Sequence, residues 1–141
     1  MTVTEVDHAR ACLDLLAANA SLTVHEGELP VGATTVTPPF VSVIAVVEWL
    51  PRREDRSGGL DGLSGTCLVS LYCRCVGETV DATLAVSGQV RSSLLNARPT
   101  IAGRVVNMIE QVSTSPVEPN EQLGRSLFEV LAIYELETRP G

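Results

Sequence analysis

Two stretches of this chain alternate apolar residues with the period of a β-strand, and no other feature constrains the fold as strongly. Successive side chains of a strand point to opposite faces, so each stretch predicts a strand with one wholly apolar face. Two such faces need a covering layer. The stretches are 40–50 and 66–76, and their apolar positions are Val41, Val43, Ala45, Val47 and Trp49, then Cys67, Val69, Leu71, Cys73 and Cys75.

Two segments show the three- and four-residue spacing of amphipathic helices and can supply that layer. The first spans 4–20, is capped by Thr4, and has an apolar stripe of Val6, Ala9, Leu13, Leu16, Ala17 and Ala20. The second follows a cap at Thr79, and its stripe is Ala82, Val86, Val90 and Leu94. Gly88 lies inside this helix, where glycine costs roughly 1 kcal/mol relative to alanine. We therefore expect the helix to pack closely against a neighbour at Gly88.

The remaining strand signals complete a single domain. A short strand is expected at 22–25, and longer ones at about 103–113 and 126–138, joined by a loop at 114–124. With 141 residues the chain has the size of one domain. The sequence predicts one domain over 1–141 with an α+β fold. Its sheet should be antiparallel, with about four to five strands and both helices packed on one face.

Charge and composition exclude several classes of protein. The chain carries 10 basic and 17 acidic residues, a formal charge of −7. Proteins that bind nucleic acid by releasing counterions show a basic stripe, and this sequence has none. No segment resembles a signal peptide or a membrane span. We expect synthesis in a reducing cytoplasm, with thiols kept free.

Candidate catalytic and metal-binding residues fail on their spacing. Cys12, Cys67, Cys73 and Cys75 form no C-x-x-C pair, and the last three share the apolar face of a strand, which favours burial. His8 and His25 are isolated, and we expect them on the surface or in loops. The glycine-rich segment 57–65 lacks the Gly-Lys-Ser/Thr ending of a phosphate loop and leads into a strand. The prediction is a protein that is not an enzyme, with no catalytic residue, cofactor or metal.

Two long loops, 26–39 and 51–65, remain as candidates for function, because loops of this length in a compact domain are usually functional or disordered. Ordering on contact with a neighbouring subunit would explain their length, and the alternative is that they are simply flexible loops. The charged residues predicted to make these contacts are Glu28, Arg52, Arg53, Arg56 and Asp61.

Nearly the whole chain resembles the tail terminator (tail completion) proteins of long-tailed bacteriophages of high-GC Gram-positive hosts. After the first helix, Val24–Ala33 resembles the family's short strand followed by Pro-x-Gly-Ala. Next come the extended Pro39–Val43 and a Gly-Leu-Ser-Gly segment that leads into Leu71–Glu78, with its cysteine, Val and Gly. The second helix ends near Arg91-Ser92-Ser93-Leu94, as the family's helix ends near Arg-x-x-Leu, and Leu127–Leu136 resembles the closing strand.

The resemblance implies a structural virion protein at the head–tail junction, made in the host cytoplasm. It implies a ring, usually hexameric, that caps the tail tube, stops its polymerisation and joins tail to head. The implied partners are further copies of the chain, the major tail tube protein and head-closure or connector proteins. DNA would pass through the lumen without specific binding, and an acidic wall would keep phosphates from adhering.

Other functions stay open at this stage. The chain could be another neck component, such as a head-closure protein. A small ligand-binding or enzymatic α+β domain is a further alternative, and it would need convergent polar groups in a pocket under the 51–65 loop. An adaptor or toxin–antitoxin-like regulator is a third, although the absence of a basic face argues against direct DNA binding.

Overall fold

The computed structural model describes residues 5–27, 37–50, 65–120 and 127–141. These residues form two helices and seven strands, and the fold is α+β, as the sequence predicts. In chain order the elements are α1 (Glu5–Ala17), β1 (Val24–Glu26), β2 (Phe40–Leu50), β3 (Thr66–Gly77), α2 (Val80–Leu94), β4 (Arg104–Val106), β5 (Glu110–Thr114), β6 (Glu118–Asn120) and β7 (Leu127–Pro140). The predicted loops lie largely in the gaps between the described ranges.

The sheet is five strands wide, in the order β1-β2-β3-β7-β4, and β5 and β6 also pair with β7. It has more strands than expected because β4, β5 and β6 follow one another along the same edge of β7. It is also mixed where an antiparallel sheet was expected, since β1 runs parallel to β2. The connection between β1 and β2 is long enough to return the chain to the same end of the sheet, as a parallel pair requires.

The predicted strand over 103–113 is interrupted, and the predicted loop over 114–124 contains β6. The interruption has a local cause at Ile109, whose N–H donates to the carbonyl of Ala97 at 2.8 Å and whose carbonyl accepts from Asn96 N–H at 2.9 Å. Ile109 is fully buried. Its backbone is therefore bonded to the segment after α2 and not to β7, which separates β4 from β5.

The core forms where both helices cover one face of the sheet, as expected. The alternating apolar positions of β2 and β3 are directly aligned with those of β7, for example Val43 with Cys73 and Cys73 with Ala132. Leu71 lies at the centre, between Ala45 and Tyr134, and is fully buried. One cluster joins these residues to the buried side chains of α1 and α2. This face is called the covered face below.

The helices differ from the prediction in which residues they bury. In α1 the buried residues are His8, Cys12, Leu13 and Leu16, whereas Val6 is 71% exposed and Ala17 and Ala20 are exposed. The buried residues His8, Cys12 and Leu16 recur every four residues and so lie on the side of the helix that packs against the core. In α2, Thr79 caps the helix as predicted, its side chain accepting a hydrogen bond from Ala82 N–H at 3.0 Å. Val86, Val90 and Leu94 are buried.

The expectation that the chain packs closely at Gly88 is wrong. Gly88 is exposed, and a Cβ placed there would have no atom within 4 Å. The close approach occurs at Gly77 instead, where β3 ends. A Cβ at that position would lie 2.7 Å from the backbone nitrogen of Thr83. The glycine that the fold needs is therefore the one that joins the central strand to α2.

One polar atom of the core lacks a hydrogen bond. The Tyr134 hydroxyl is buried and finds no hydrogen-bond partner among the described residues. An unsatisfied buried polar group costs stability. We predict that Tyr134→Phe raises the free energy of unfolding by about 1 kcal/mol, measured by urea denaturation.

Tyr72 provides the matched control, because its side chain is 37% exposed on the same sheet and its hydroxyl can be solvated. Tyr72→Phe should leave the free energy of unfolding unchanged. A clear loss of stability in Tyr134→Phe would contradict the prediction and indicate a bound water that satisfies the hydroxyl.

Candidate interaction surface

In the described ranges no helix packs on the second face of the sheet, which is called the uncovered face. It is formed by the even positions of β2 and β3 and the odd positions of β7. Its central row is apolar, with Ile44 paired to Tyr72 and Tyr72 to Ile133. Val46 is 47% exposed in the next row. At one end a small buried cluster of Phe40, Val76 and Leu127 closes the face.

Glutamates outnumber arginines on the uncovered face. Glu110 lies directly opposite Glu135 across the β5–β7 pair, a like-charge arrangement that destabilises an isolated sheet. Glu48 and Glu137 lie in one row, on either side of Leu68. The acidic positions of this face are Glu48, Glu110, Glu118, Glu129, Glu135 and Glu137, and the basic ones are Arg74 and Arg139. The described part of this face therefore carries more acidic than basic side chains.

An open groove of about 560 Å³ lies on this face, beside β6. Among the described residues that line it, Arg74 is the arginine, and its guanidinium donates to Glu129 at 3.0 Å. The Asn120 side-chain amide donates to the other oxygen of the same carboxylate. Three of the polar side chains that line the described part of the groove, Arg74, Glu129 and Asn120, therefore bond to one another.

In the part of the chain that the structure describes, both edges of the sheet are open. Among the described strands, β1 pairs only with β2, and β4, β5 and β6 pair only with β7. The β4–β5 edge exposes three apolar side chains among polar ones such as Glu110 and Ser113: Val105, Met108 and Val112 are 42%, 48% and 53% exposed. Val112 lies at the irregularity between Gln111 and Ser113, where the register with β7 shifts. An exposed apolar edge is a site of strand addition or aggregation unless something covers it.

The opposite edge is held in a fixed position. The Arg10 guanidinium of α1 makes a two-point contact with the Glu26 carboxylate of β1, at 3.0 and 2.9 Å. This hydrogen bonding holds the pKa of Glu26 below its ordinary value. Ser42 Oγ donates to the Gly27 carbonyl at 2.7 Å. These contacts tie β1 to α1 and β2, so that its outer edge is presented with little freedom.

The predicted contact residues Glu28, Arg52, Arg53, Arg56 and Asp61 all lie outside the described residues. Their role stays a prediction. The surface features that sequence reasoning did not identify are the uncovered face and the apolar edge. The apolar residues of the edge fall within one predicted strand, but its position at an edge depends on the order of strands.

The cysteine prediction is confirmed. All four thiols are buried, and desolvation raises the pKa of Cys12 to about 12, of Cys67 to about 11 and of Cys75 to about 12. The pKa of Cys73 is raised for the same reason. A nucleophilic or ligating cysteine needs a lowered pKa and access. In the described part of the chain, no three His, Cys, Asp or Glu residues are grouped to hold a metal ion.

The expectation that His8 is a surface residue is wrong. His8 is fully buried, and its Nε2 lies 2.8 Å from Thr138 Oγ1 at the far end of β7. Its ring meets Trp49 edge-on, with centroids 5.3 Å apart. The Arg104 guanidinium lies 5.2 Å from the Trp49 centroid and donates to Thr138 Oγ1 at 3.1 Å. The cluster joins α1, β2, β4 and β7, which is a structural role. The missed signal is the four-residue spacing of His8, Cys12 and Leu16.

No helix in the described ranges is long and apolar enough to cross a membrane. No protein-family model matches the sequence, and no curated protein matches it. A solved chain from the virion of a native gene transfer agent particle has a similar fold, with a TM-score of 0.66. The likeness covers 98% of this chain and 100% of that chain at 13% identity. At that identity it shows the fold alone.

Proposed function

We propose that this protein is a non-catalytic structural virion protein and, more specifically, a tail terminator. It forms a ring that caps the tail tube, ends the polymerisation of the tube and joins the tail to the head. The observation that carries the proposal is the likeness of the fold to a virion chain over 98% of this chain and the whole of the other. The order of sequence features that resemble the terminator family supports the same conclusion independently.

The chemistry of the described residues agrees with an assembly role. Buried thiols with raised pKa values and a buried, hydrogen-bonded His8 offer no nucleophile or base at the surface. What the surface offers instead is an uncovered acidic face and two open edges. A ring of identical copies needs two different patches per copy, because each copy meets the next in a head-to-tail manner. The two edges of one sheet are such a pair.

The acidic face has a use in this proposal. DNA leaving the head passes through the lumen, and its phosphates are repelled by glutamates such as Glu48, Glu135 and Glu137. We therefore place the uncovered face on the lumen side. A structure of the assembled ring with a neutral or basic lumen wall would contradict this placement.

A head-closure protein is the second candidate, because small neck proteins share the size and the α+β character of this chain. The two roles differ in what they bind. We expect the purified protein, added to polymerising tail tube protein of the same virus, to shorten the tubes and to be found at tube ends by electron microscopy. Unchanged tube lengths together with binding to the portal-side complex would favour the head-closure role.

A further inference from the structure

We propose that the β4–β5 edge of one copy pairs with the β1 edge of the next copy, so that the sheets of neighbouring subunits join into one continuous sheet. This inference rests on the proposed ring and names the surface that builds it. The partner of the edge is thus a second copy of this chain, bound through backbone hydrogen bonds along Glu110–Thr114 and Val24–Glu26.

The apolar edge needs a cover of this kind. Val105, Met108 and Val112 are each more than two-fifths exposed, and all three lie within eight residues of one edge. A strand added there buries these side chains and satisfies the outward backbone groups of β5 at once. Proline and charged side chains commonly protect natural edges from such addition. The segments 104–106 and 108–114 contain no proline, and their charged residues are Arg104 and Glu110.

The directions of the strands fit the pairing. β1 runs parallel to β2, and β2, β3, β7 and β5 then alternate in direction, so β5 runs opposite to β1. A rotation about an axis along the strands does not change whether a strand runs up or down. The β1 strand of the next copy therefore meets β5 in the antiparallel sense, which continues the alternation and is the more stable pairing.

The same rotation keeps every uncovered face on the same side of the joined sheet. The glutamates of all copies then line one wall, and the helices of all copies lie on the other. Edge pairing all the way round closes the sheet and leaves no free edge, which is how closed sheets avoid strand addition. The pairing thus accounts for the open edges and for the position of the acidic face with one geometry.

Val112→Lys tests the inference, because it places a charge on the edge at a side chain that is 53% exposed and tolerates substitution in the monomer. Leu84→Lys is the matched control, since Leu84 is 50% exposed on α2, away from both edges. By native mass spectrometry, Val112→Lys should lose the ring and leave single chains, while Leu84→Lys keeps it. Circular dichroism and thermal melts of both variants check that they fold.

Chemical cross-linking between cysteines introduced at the two edges tests directly whether those edges pair. The native thiols are buried, so cysteines introduced by Val112→Cys and Thr23→Cys are the reactive ones. A short bis-maleimide should join the doubly substituted chain into a ladder of multimers and should leave each singly substituted chain uncoupled. Dimers from Val112→Cys alone would overturn the inference in favour of an edge that pairs with itself.

The outcomes separate the inference from the proposed function. If the wild-type protein forms a ring that Val112→Lys does not disrupt, or that Leu84→Lys disrupts instead, the proposed edge pairing is contradicted. The proposal that the protein forms a ring then still stands. Cross-linked chains that never close into a ring contradict the terminator and leave the pairing standing. A wild-type protein that remains a single chain without cross-links contradicts both.

Discussion

Raising the pH above 9 is expected to unfold this protein. Each of the four thiols is fully buried and has a pKa well above its ordinary value of 9.0, because burial disfavours the thiolate. The unfolded chain ionises at the ordinary value. The stability that the neutral thiols contribute is therefore present in full below pH 9 and is lost as the pH rises toward 11 to 12.

The expected magnitude is large. A group that is protonated in the folded state and ionised in the unfolded state lowers the free energy of unfolding by about 1.4 kcal/mol per pH unit. Four thiols together remove about 5 kcal/mol per unit, which is comparable to the whole stability of a small domain. Tyr134, whose pKa burial raises to about 12, adds to the loss above pH 10.

The measurement is the free energy of unfolding by urea at several pH values from 7 to 11, followed by Trp49 fluorescence. Cys75→Ala is the control: it removes one titrating group and should make the decline with pH shallower by about a quarter, whatever its stability at neutral pH. A free energy of unfolding that stays constant up to pH 10.5 would show that the thiols are not buried as described.

Alanine at Gly77 and alanine at Gly88 are expected to change stability in opposite directions. At Gly77 the new Cβ would lie 2.7 Å from the Thr83 nitrogen and 2.8 Å from Thr83 Oγ1. That hydroxyl donates to the Thr79 carbonyl at 2.8 Å, within the first turn of α2. The start of the helix would have to move, and Gly77→Ala should cost about 2–3 kcal/mol.

Gly88→Ala is the matched substitution in the exposed middle of α2. No atom lies within 4 Å of the new Cβ, so the change brings only the higher helix propensity of alanine. It should raise the free energy of unfolding by about 1 kcal/mol. Denaturant unfolding of both variants at one protein concentration checks the pair, and a stabilised Gly77→Ala would mean that the junction between β3 and α2 is looser than described.

The sequence predicted most of the fold wherever a long periodic pattern was present. The bounds of β2 agree with the prediction, because an alternation of apolar residues over eleven positions is compatible with a strand and not with a helix. The cap at Thr79 was predicted for a local reason, the hydrogen bond of its side chain to the third residue after it. The weaker predictions failed where the deciding partner is distant in sequence. β6 is Glu-Pro-Asn, which has no strand propensity, and it forms because β7 offers an edge.

The candidate surface depends even more on distant partners. From the sequence, Val112 is one more apolar residue of a predicted strand. Only the order of strands in the sheet shows that it lies at an edge. Glu110 and Glu135 are 25 residues apart in the sequence, and only the register of β5 with β7 brings their charges together. His8 was expected on the surface or in a loop because no other ligand-type residue lies at the right spacing in the sequence, while its partner Thr138 lies 130 residues away. Local patterns carry none of this information.

The mass of the purified wild-type protein in solution tests the central claim most directly. Native mass spectrometry, over a range of protein concentrations and with and without tail tube protein, should show a closed ring. A hexamer of six chains of 15.0 kDa corresponds to about 90 kDa, and added tubes should bind such rings at their ends. A protein that stays at 15.0 kDa under all of these conditions and never joins a tube would contradict the account.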